Sequence, residues 1–398
     1  MPTAGVAGRE GPDVRSDCSV RFEPSSSGKL DIEVRSKVES MYGRSIREEA
    51  ARVLGALGVS RGRVTIVDAG APPFVIDARI ETAVRRALGE PESEYLPEAA
   101  EHSLYGSNRT RLRRSRLYLP GNEPKFLLNA GLHKPDGVIL DLEDSVSPEE
   151  KDAARIVVRN ALRAVDFYGA ERMVRINQLP LGMEDLDVII PHNVHVVLIP
   201  KVESAEVVKD VAARIDQIRE KRNLEGEVFL MPIVESALGV VRAAEIAAAS
   251  RHVIALTIGL EDYTADIGAP RTKEGRESTF ARAAVVNAAR AAGVSPIDSV
   301  YSDVADMEGL RHAALEAKSL GFDGMGCIHP RQIPVVHEAF APTQAELEKA
   351  RRIVAAYEEA RARGSGVVSL GSKMIDPPVV KRALRIVRMV EGEEVHHE

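Results

Sequence analysis

Residues 137–162 read GVILDLEDSVSPEEKDAARIVVRNAL, and this stretch decides the predicted fold. It opens with a short apolar run after a glycine, which favours a strand that is buried on both faces. Ser147, Pro148 and Glu150 then offer an N-cap, a first helical residue and a capping-box acid, so a helix is predicted to follow. A buried strand that leads directly into a helix is the repeating unit of parallel α/β folds.

The same strand–helix alternation continues from residue 113 onward. Eight β-like runs alternate with helical stretches, which favours a (β/α)8 barrel of the TIM type. A doubly wound parallel sheet is the alternative, but the segment LYLPGNEPKF after the first run is not the GxGxxG fingerprint of a dinucleotide site. The eight runs are RLYLP, GVILDL, RMVRIN, HVVLIP, EVFLMPI, VIALTIG, IDSVYSDV and FDGMGCI.

The composition and the spacing of apolar residues divide the chain into four parts. Residues 1–89 form a small α/β domain, and residues 90–112, which lack a clean period, read as a linker. Residues 113–340 form the barrel, and residues 341–398 form a helical extension. We therefore expect an α/β protein in which a (β/α)8 barrel carries a small N-terminal domain and a C-terminal extension.

The composition also excludes several classes of protein. The chain has 398 residues, a net charge of −7 and no tryptophan, which speaks against nucleic-acid binding. Its two cysteines, Cys18 and Cys327, form neither a metal motif nor a disulfide framework. The sequence shows no signal-peptide pattern and no apolar run that approaches a membrane span. We expect a cytoplasmic protein without nucleic acid or membrane as a partner.

Polar residues follow every predicted barrel strand. In a barrel of this type the active site lies where the strands end, at the carboxyl-terminal face. Each such residue alone is more simply a solvated loop residue or a helix cap, but their convergence indicates a site. The residues, in strand order, are Pro120, Gly121 and Asn122, with Arg114 just before this first strand; Asp141, Glu143 and Asp144; Arg175 and Asn177; Lys201 and Glu203; Glu235; Glu261 and Asp262; Ser302 and Asp303; and His329.

Glu235 and Asp262 predict a divalent-cation site. They end adjacent strands, and two carboxylates with few histidines nearby suit Mg²⁺, which takes one or two carboxylates plus waters and substrate. The alternative role for Glu235 is to cap the helix that follows it.

Arg175 is suited to bidentate binding of a substrate carboxylate, and the alternative role for this arginine is an ion pair with one of the barrel acids. His329 is either a base or a hydrogen-bonded structural group.

At these residues the chain resembles a known family. RRSRLYLPGNEPKFL, GVILDLEDSVSPEEKDAAR, RMVRIN, LIPKVES, MPIVESALGV, GLEDYTADIG, GFDGMGCIHPRQI and KMIDPP, in this order, are similar to the citrate lyase β subunit group of the HpcH/HpaI aldolase superfamily. That superfamily also contains malyl-CoA and citramalyl-CoA lyases. The resemblance implies a (β/α)8 barrel, a homotrimer, Mg²⁺ dependence, and a reaction that makes or breaks a C–C bond between a keto acid and an acetyl thioester.

The resemblance also implies roles for individual residues. Glu235 and Asp262 match the magnesium ligands, and Arg175 matches the arginine that grips the keto-acid carboxylate. Asp376, in KMIDPP, matches an aspartate that the C-terminal segment delivers into a neighbouring subunit's site. Glu143 and Asp144 are then expected to reach the ion through bound waters, while Asp141 is structural. Arg114, Gly121 and Asn122 match the first-strand segment that lines the pocket.

The N-terminal domain resembles the citrate lyase γ subunit, an acyl carrier protein, through DVRSDCSVRFEP, KLDIEVRSKVESMYGRSIR and DARIETAVRRAL. There a serine carries a CoA-like prosthetic group, and Ser16 beside Asp17 is the nearest match. The sequence departs from the family here, since the modified position itself falls on Arg15. A coil of the length of residues 90–112 would let the carrier domain visit a site in its own trimer.

Three functions remain open at this point. The first is a citryl-thioester lyase that converts citryl on the acyl carrier protein to oxaloacetate and an acetyl thioester, with a citrate lyase α subunit as a candidate partner. The second is a free-standing malyl-CoA or citramalyl-CoA lyase that uses free CoA thioesters. The third is a non-catalytic subunit that holds the carrier and binds a keto acid.

Overall fold

A small α/β domain forms the N-terminal part of the computed structural model, which describes residues 4–90, 93–363, 368–370 and 373–394. Its four strands have the order β1-β2-β4-β3, with β3 and β4 parallel and the other pairs antiparallel. Two helices pack on the sheet through one apolar cluster. The elements are β1 (Gly5–Gly8), β2 (Cys18–Glu23), β3 (Leu30–Ser36), α1 (Glu39–Ala56), β4 (Gly62–Asp68) and α2 (Pro73–Leu88).

Eight parallel strands close into a barrel, so the predicted fold class is confirmed. The strands follow one another around the ring in chain order, and the last pairs with the first. Apolar side chains fill the interior, and a larger apolar layer separates strands from helices. The strands are β5 (Ser115–Pro120), β6 (Gly137–Asp141), β7 (Glu171–Arg175), β8 (Val196–Ile199), β9 (Phe229–Val234), β10 (Ala255–Ile258), β11 (Ser295–Asp298) and β12 (Gly324–Cys327).

Helices surround the barrel and connect successive strands. They are α3 (Pro124–Leu127), α4 (Lys151–Ala164), α5 (Leu181–Ile189), α6 (Ala205–Arg222), α7 (Ala237–Val241), α8 (Ala243–Ala247), α9 (Leu260–Asp266), α10 (Thr279–Ala291), α11 (Met307–Leu320) and α12 (Gln332–Phe340). In the described part of the chain, no helix is both long and apolar enough to cross a membrane.

The C-terminal extension consists of α13 (Gln344–Ala362), β13 (Val368–Leu370), β14 (Lys373–Ile375) and α14 (Pro377–Glu394). The two helices pack together through a small apolar cluster. Arg385 of α14 pairs with Asp323, which directly precedes β12. The extension therefore contacts the barrel at the amino-terminal ends of the strands.

Two local predictions differ from the structure. The capping box at Ser147 does not form, because residues 148–150 make a 3-10 turn and the Glu150 carboxylate lies 3.3 Å from Arg86 instead. The seventh strand was placed on IDSVYSDV, but β11 ends at Asp298. Ser302 and Asp303 are consequently exposed loop residues rather than strand ends.

Helix α2 joins the N-terminal domain to the barrel. Every residue from Phe74 to Val84 is buried, because the helix has apolar contacts on two sides. Phe74 and Ala78 pack into the apolar layer of the barrel, while Ile76 and Ile80 pack into the core of the N-terminal domain. The domain is thus built onto its own barrel.

Ion pairs reinforce this contact between α2 and α4. Glu81 receives two hydrogen bonds from Arg159, of 2.6 and 3.1 Å, and both side chains are fully buried. Arg86 donates to both carboxylate oxygens of Asp152, at 2.6 and 2.8 Å. A buried ion pair that loses one member leaves a costly uncompensated charge, so these pairs specify how the two domains dock.

Residues 93–112 differ from the free coil that was expected between the domains. Arg159 donates to the carbonyl oxygen of Tyr95 at 3.0 Å, Arg163 to that of Pro97 at 2.6 Å, and Arg172 to that of Tyr105 at 2.9 Å. The segment is therefore bound along the barrel, and it does not act as a long tether for the N-terminal domain.

We expect Glu81→Gln to lower the free energy of unfolding by about 3 kcal/mol, because the buried Arg159 would lose its buried charged partner and keep only the more exposed Glu94. Glu48→Gln, which removes the exposed partner of Arg44 in the same domain, should change it by less than about 0.5 kcal/mol. Urea denaturation of both variants measures the difference. Equal stability of the two variants would contradict a docking role for Glu81.

Candidate active site at the carboxyl ends of the barrel strands

A cavity of about 450 Å³ opens where the barrel strands end. Seven of the eight strands, or the loops directly after them, contribute to its wall, as expected for a site at this face. Six of the sequence-predicted charged site residues line it, namely Asp141, Asp144, Arg175, Glu235, Glu261 and Asp262. The strand-end rule therefore located the cavity correctly.

Arg175 neutralises the acidic end of β6. It is the register partner of Asp141 on the neighbouring strand and donates to both oxygens of that carboxylate, at 2.7 and 2.8 Å. Burial alone would raise the pKa of Asp141, but the guanidinium outweighs it and holds the pKa below the usual range. Asp141 is the structural carboxylate of the cluster, as the sequence suggested.

The other two acids of the cluster share Arg175 and a lysine. Nη1 of Arg175 lies 3.0 Å from Glu143 and 3.5 Å from Asp144. Nζ of Lys201 lies 3.4 Å from Glu143 and 3.6 Å from Asp144. Burial and the neighbouring Asp144 carboxylate raise the pKa of Glu143 above its usual value, although Arg175 acts in the opposite direction. Arg175 and Lys201 are thus the positive partners that the acidic run requires.

Glu235 and Asp262 lie together on the opposite wall of the cavity. Glu235 directly follows β9, and Asp262 lies in the first turn of α9 after β10, which pairs with β9. Oε1 of Glu235 accepts from the backbone N–H of Lys201 at 2.7 Å. Gly259 is required beside it, because a Cβ there would lie 2.4 Å from Oε2 of Glu235.

Glu235 is a buried carboxylate with a raised pKa. Burial, together with the nearby Asp262 and Glu143 carboxylates, raises its pKa to about 8, although the N–H of Lys201 and Arg175 act in the opposite direction. A carboxylate with this pKa is largely protonated at neutral pH, and a bound divalent cation would reverse that effect. Among the described residues no group of three or more His, Cys, Asp or Glu side chains forms a metal cluster. A pair of carboxylates fits Mg²⁺, which retains waters and takes substrate oxygens.

The structure corrects the assignment of Arg114 to the pocket. Arg114 precedes β5, so it lies at the amino-terminal end of the barrel, far from the cavity. Its guanidinium donates to Asp136, which precedes β6, with two bonds of 3.0 Å. The arginine of β5 that does line the cavity is Arg116, which the sequence reasoning missed.

Gly121 and Asn122 support the rim of the cavity. The Gly121 N–H donates to the carbonyl oxygen of Asp141 at 2.8 Å, and a Cβ at Gly121 would lie 2.7 Å from that oxygen. Asn122 is buried, and its carbonyl oxygen accepts from Arg79 at 3.3 Å. Neither residue lines the cavity itself; they contact Asp141 and, through Arg79, the N-terminal domain.

Several cavity residues were missed because they lie within strands. Arg116, Tyr118, Thr257 and Asp298 point into the barrel from β5, β10 and β11. The available signal was the alternation of side chains along a strand, which places charged residues of β5 inside the barrel. His329 is a hydrogen-bonded structural group, because its Nδ1 accepts a hydrogen bond from the backbone N–H of Arg331 at 3.1 Å.

Ser16 lies in the loop between β1 and β2, near the rim. Its φ is 56°, and its N–H donates to the carbonyl oxygen of Ala69 at 3.1 Å. The adjacent Asp17 forms a buried bidentate pair with Arg79, at 2.9 and 2.8 Å. Since Arg79 also contacts Asn122, the Ser16 loop is tied to the turn that follows β5.

Asp376 does not line the cavity of its own chain. It is exposed and precedes α14, which lies at the amino-terminal end of the barrel. Its carbonyl oxygen accepts from the N–H of Val379 at 2.9 Å. A role for its carboxylate in catalysis would thus require the site of another subunit.

Comparison with known proteins agrees with this geometry. A family model described as HpcH/HpaI aldolase/citrate lyase matches residues 114–330. A second, described as malonate decarboxylase delta subunit, matches residues 10–87. The citrate lyase subunit beta of Haemophilus influenzae is 43% identical over 285 residues, which cover 71% of this chain and 98% of that protein. The human mitochondrial citramalyl-CoA lyase is 33% identical and covers 70% of this chain, with 85% of its own length matched.

Two solved structures are similar to this chain over most of their length. The citrate lyase beta subunit of Mycobacterium tuberculosis complexed with oxaloacetate and magnesium is 34% identical, with a TM-score of 0.51, and covers 59% of this chain and 100% of that one. The protein CitE of the same organism in complex with magnesium, acetoacetate and coenzyme A is 33% identical, with a TM-score of 0.57, and covers 71% and 98%. The chain belongs to the HpcH/HpaI aldolase/citrate lyase family.

Proposed function

We propose that this protein is a Mg²⁺-dependent carbon–carbon lyase that cleaves a citryl thioester into oxaloacetate and an acetyl thioester. The observation that carries the proposal is the Glu235–Asp262 carboxylate pair, which faces Arg175 across one cavity. Similar proteins bind magnesium with oxaloacetate and magnesium with coenzyme A. A substrate with a carboxylate, a hydroxyl and a thioester requires a cation site for its oxygens and a positively charged group for its carboxylate.

The cavity residues can each be given a role in a retro-Claisen cleavage of the thioester. Glu235 and Asp262 would hold Mg²⁺, which supplies Lewis-acid stabilisation of the substrate's hydroxyl oxygen as that hydroxyl loses its proton. Arg175, fixed by Asp141, would bind the adjacent carboxylate and orient the bond that breaks. Oxaloacetate then leaves, and the enolate of the acetyl thioester must take up one proton.

Asp376 of a neighbouring subunit is the proposed proton donor to that enolate. An enolate is strongly basic, so a carboxyl group of ordinary acidity can protonate it. The exposed position of Asp376 on the far side of its own barrel supports delivery to another subunit. A homotrimer in which the C-terminal extension of one subunit completes the site of the next would provide this arrangement.

The docked N-terminal domain supports two sources of the thioester. A prosthetic group on Ser16 would start near the rim of its own barrel, because Asp17, Arg79 and Asn122 tie that loop to the turn after β5. Free CoA thioesters are the other source, and the arginine at position 15 favours them. The intact mass of protein from its native host distinguishes these cases, since a carrier adduct would lie within the first 20 residues.

A malyl-CoA or citramalyl-CoA lyase is the second candidate, because a similar human protein bears the latter name. A non-catalytic scaffold is disfavoured, since Arg175, Glu235 and Asp262 converge in one cavity. A citrate lyase α subunit as partner and a cytoplasmic location remain predictions.

We expect Glu235→Gln to abolish Mg²⁺-dependent cleavage, because the cation would lose one of its two charged ligands. Glu143→Gln should weaken Mg²⁺ binding by only about tenfold, as expected for a residue that acts through water. The exposed Glu225→Gln serves as the matched control. Titration calorimetry measures the affinity for Mg²⁺, and cleavage assays measure the activity. A larger loss of Mg²⁺ affinity in Glu143→Gln than in Glu235→Gln would place the ion on the acidic run at Asp141–Asp144.

The affinity for Mg²⁺ should rise with pH between 6 and 8. In the metal-free site the pKa of Glu235 is raised to about 8, so below pH 8 a proton competes with the cation for the same carboxylate. The affinity should therefore fall by up to about tenfold per pH unit below 8, and binding should release a proton. Calorimetry in buffers of different ionisation enthalpy measures the release; an affinity independent of pH would contradict this assignment.

Asp376→Asn should lower turnover by about 10²–10⁴-fold while oxaloacetate binding persists, because the proton donor is lost and the binding residues remain. Mixing Asp376→Asn subunits with Glu235→Gln subunits tests the route of delivery. A mixed oligomer contains sites with both Glu235 and a neighbour's Asp376, so part of the activity should return. Two inactive parents that give an inactive mixture would show that Asp376 does not act between subunits.

A further inference from the structure

Arg116 is a positively charged residue at the floor of the active-site cavity. It lies in β5, its side chain points into the barrel, and its exposed fraction is 0%. Nη1 donates to Oγ1 of Thr257 at 3.1 Å and lies 3.0 Å from the sulfur of Met231. Nη2 lies 3.4 Å from the carbonyl oxygen of Asp298. All of these partners are neutral.

The described residues provide no carboxylate for Arg116. Fully buried Arg79 and Arg159 are each paired with an acid, whereas the Nε–H of Arg116 has no acceptor. The nearest acid on the floor, Asp298, already accepts from Arg282 at 2.6 Å and from the N–H of Ser299 at 2.9 Å. It cannot turn to Arg116 without breaking these bonds.

A buried arginine without an ion pair lowers the stability of the folded protein. An isolated guanidinium in a barrel interior loses its hydration and gains no ion pair, so apolar residues of similar volume would stabilise the barrel more. Burial accordingly lowers the pKa of Arg116. An anion that enters the cavity would supply the missing charge and an acceptor for Nε–H, and a charge-assisted bond in a dry site is among the stronger polar contacts.

We propose that Arg116 binds a second carboxylate of the substrate at the cavity floor, so that the preferred substrate releases a keto acid with two carboxylates. The inference rests on the proposed lyase function and specifies its substrate class. Arg175 on the rim would hold the carboxylate beside the reacting carbon, and Arg116 would hold the distal one. Oxaloacetate has both groups, whereas pyruvate and glyoxylate have one, so the two arginines favour citryl over citramalyl and malyl thioesters.

The test compares two keto acids in Arg116→Gln. With Mg²⁺ present, calorimetry should show that the variant binds oxaloacetate roughly 10- to 100-fold more weakly, while pyruvate binding changes little. In cleavage assays the ratio of kcat/KM for citryl-CoA to that for citramalyl-CoA should fall by a similar factor. Arg116→Lys, which keeps the charge, should restore part of the preference.

A matched control separates this role from a structural one. Arg172 is also fully buried and has no acid partner among the described residues, but its partners are His195 and the carbonyl oxygens of Ser103 and Tyr105, outside the cavity. Arg172→Gln should lower stability yet leave the ratio of oxaloacetate to pyruvate affinity unchanged. Equal losses for both keto acids in Arg116→Gln, or no loss for either, would overturn the proposal.

The wild-type protein provides the decisive measurement if neither Arg116 variant folds. A preference for oxaloacetate over pyruvate smaller than about tenfold would then overturn the second carboxylate site. Failure of the lyase proposal itself looks different, because the wild-type protein would cleave none of the citryl, citramalyl and malyl thioesters with Mg²⁺ present.

Discussion

The ion pair between Asp141 and Arg175 makes the acidic mouth of the barrel compatible with a folded chain. Both residues end neighbouring parallel strands in register, so the bond closes as soon as β6 and β7 pair. The same guanidinium also faces Glu143 and Asp144. Three carboxylates at one strand end would otherwise repel each other, and the loss of either partner would leave a buried charge uncompensated. The cavity can therefore keep a second acidic pair free for a cation.

Helix α2 makes the N-terminal domain part of the same body as the barrel. A helix buried on both sides gains apolar contacts from two cores, and its buried pair with Arg159 allows one docking geometry. A carrier protein that visits a distant site must instead separate from its partner at low cost. The domain is consequently better suited to present its first loop at the rim of its own barrel than to move between sites.

The barrel and the placement of the Glu235–Asp262 carboxylate pair were predictable because both follow local rules. Apolar runs alternate with amphipathic helices, and Glu235 and Asp262 directly follow such runs. The family resemblance, not the strand-end rule, assigned Arg114 to the pocket, and Arg114 lies at the opposite end of the barrel because it precedes its strand. The strand-end rule missed Arg116 and Asp298, because residues within a strand read as core regardless of charge. Lys201 was placed at a strand end, but nothing in the sequence paired it with Glu143.

The sequence by itself determined the class of fold, the face of the barrel that carries the site, and the acids suited to a cation. Each depends on spacing along the chain, which a periodic pattern records directly. Only the tertiary structure decided which positive charges balance the acidic run, where the N-terminal domain docks, and that Arg116 is buried with no acid partner in the described part of the chain. Those outcomes depend on distances between residues that are far apart in sequence, because electrostatic and desolvation energies are set by neighbours in space.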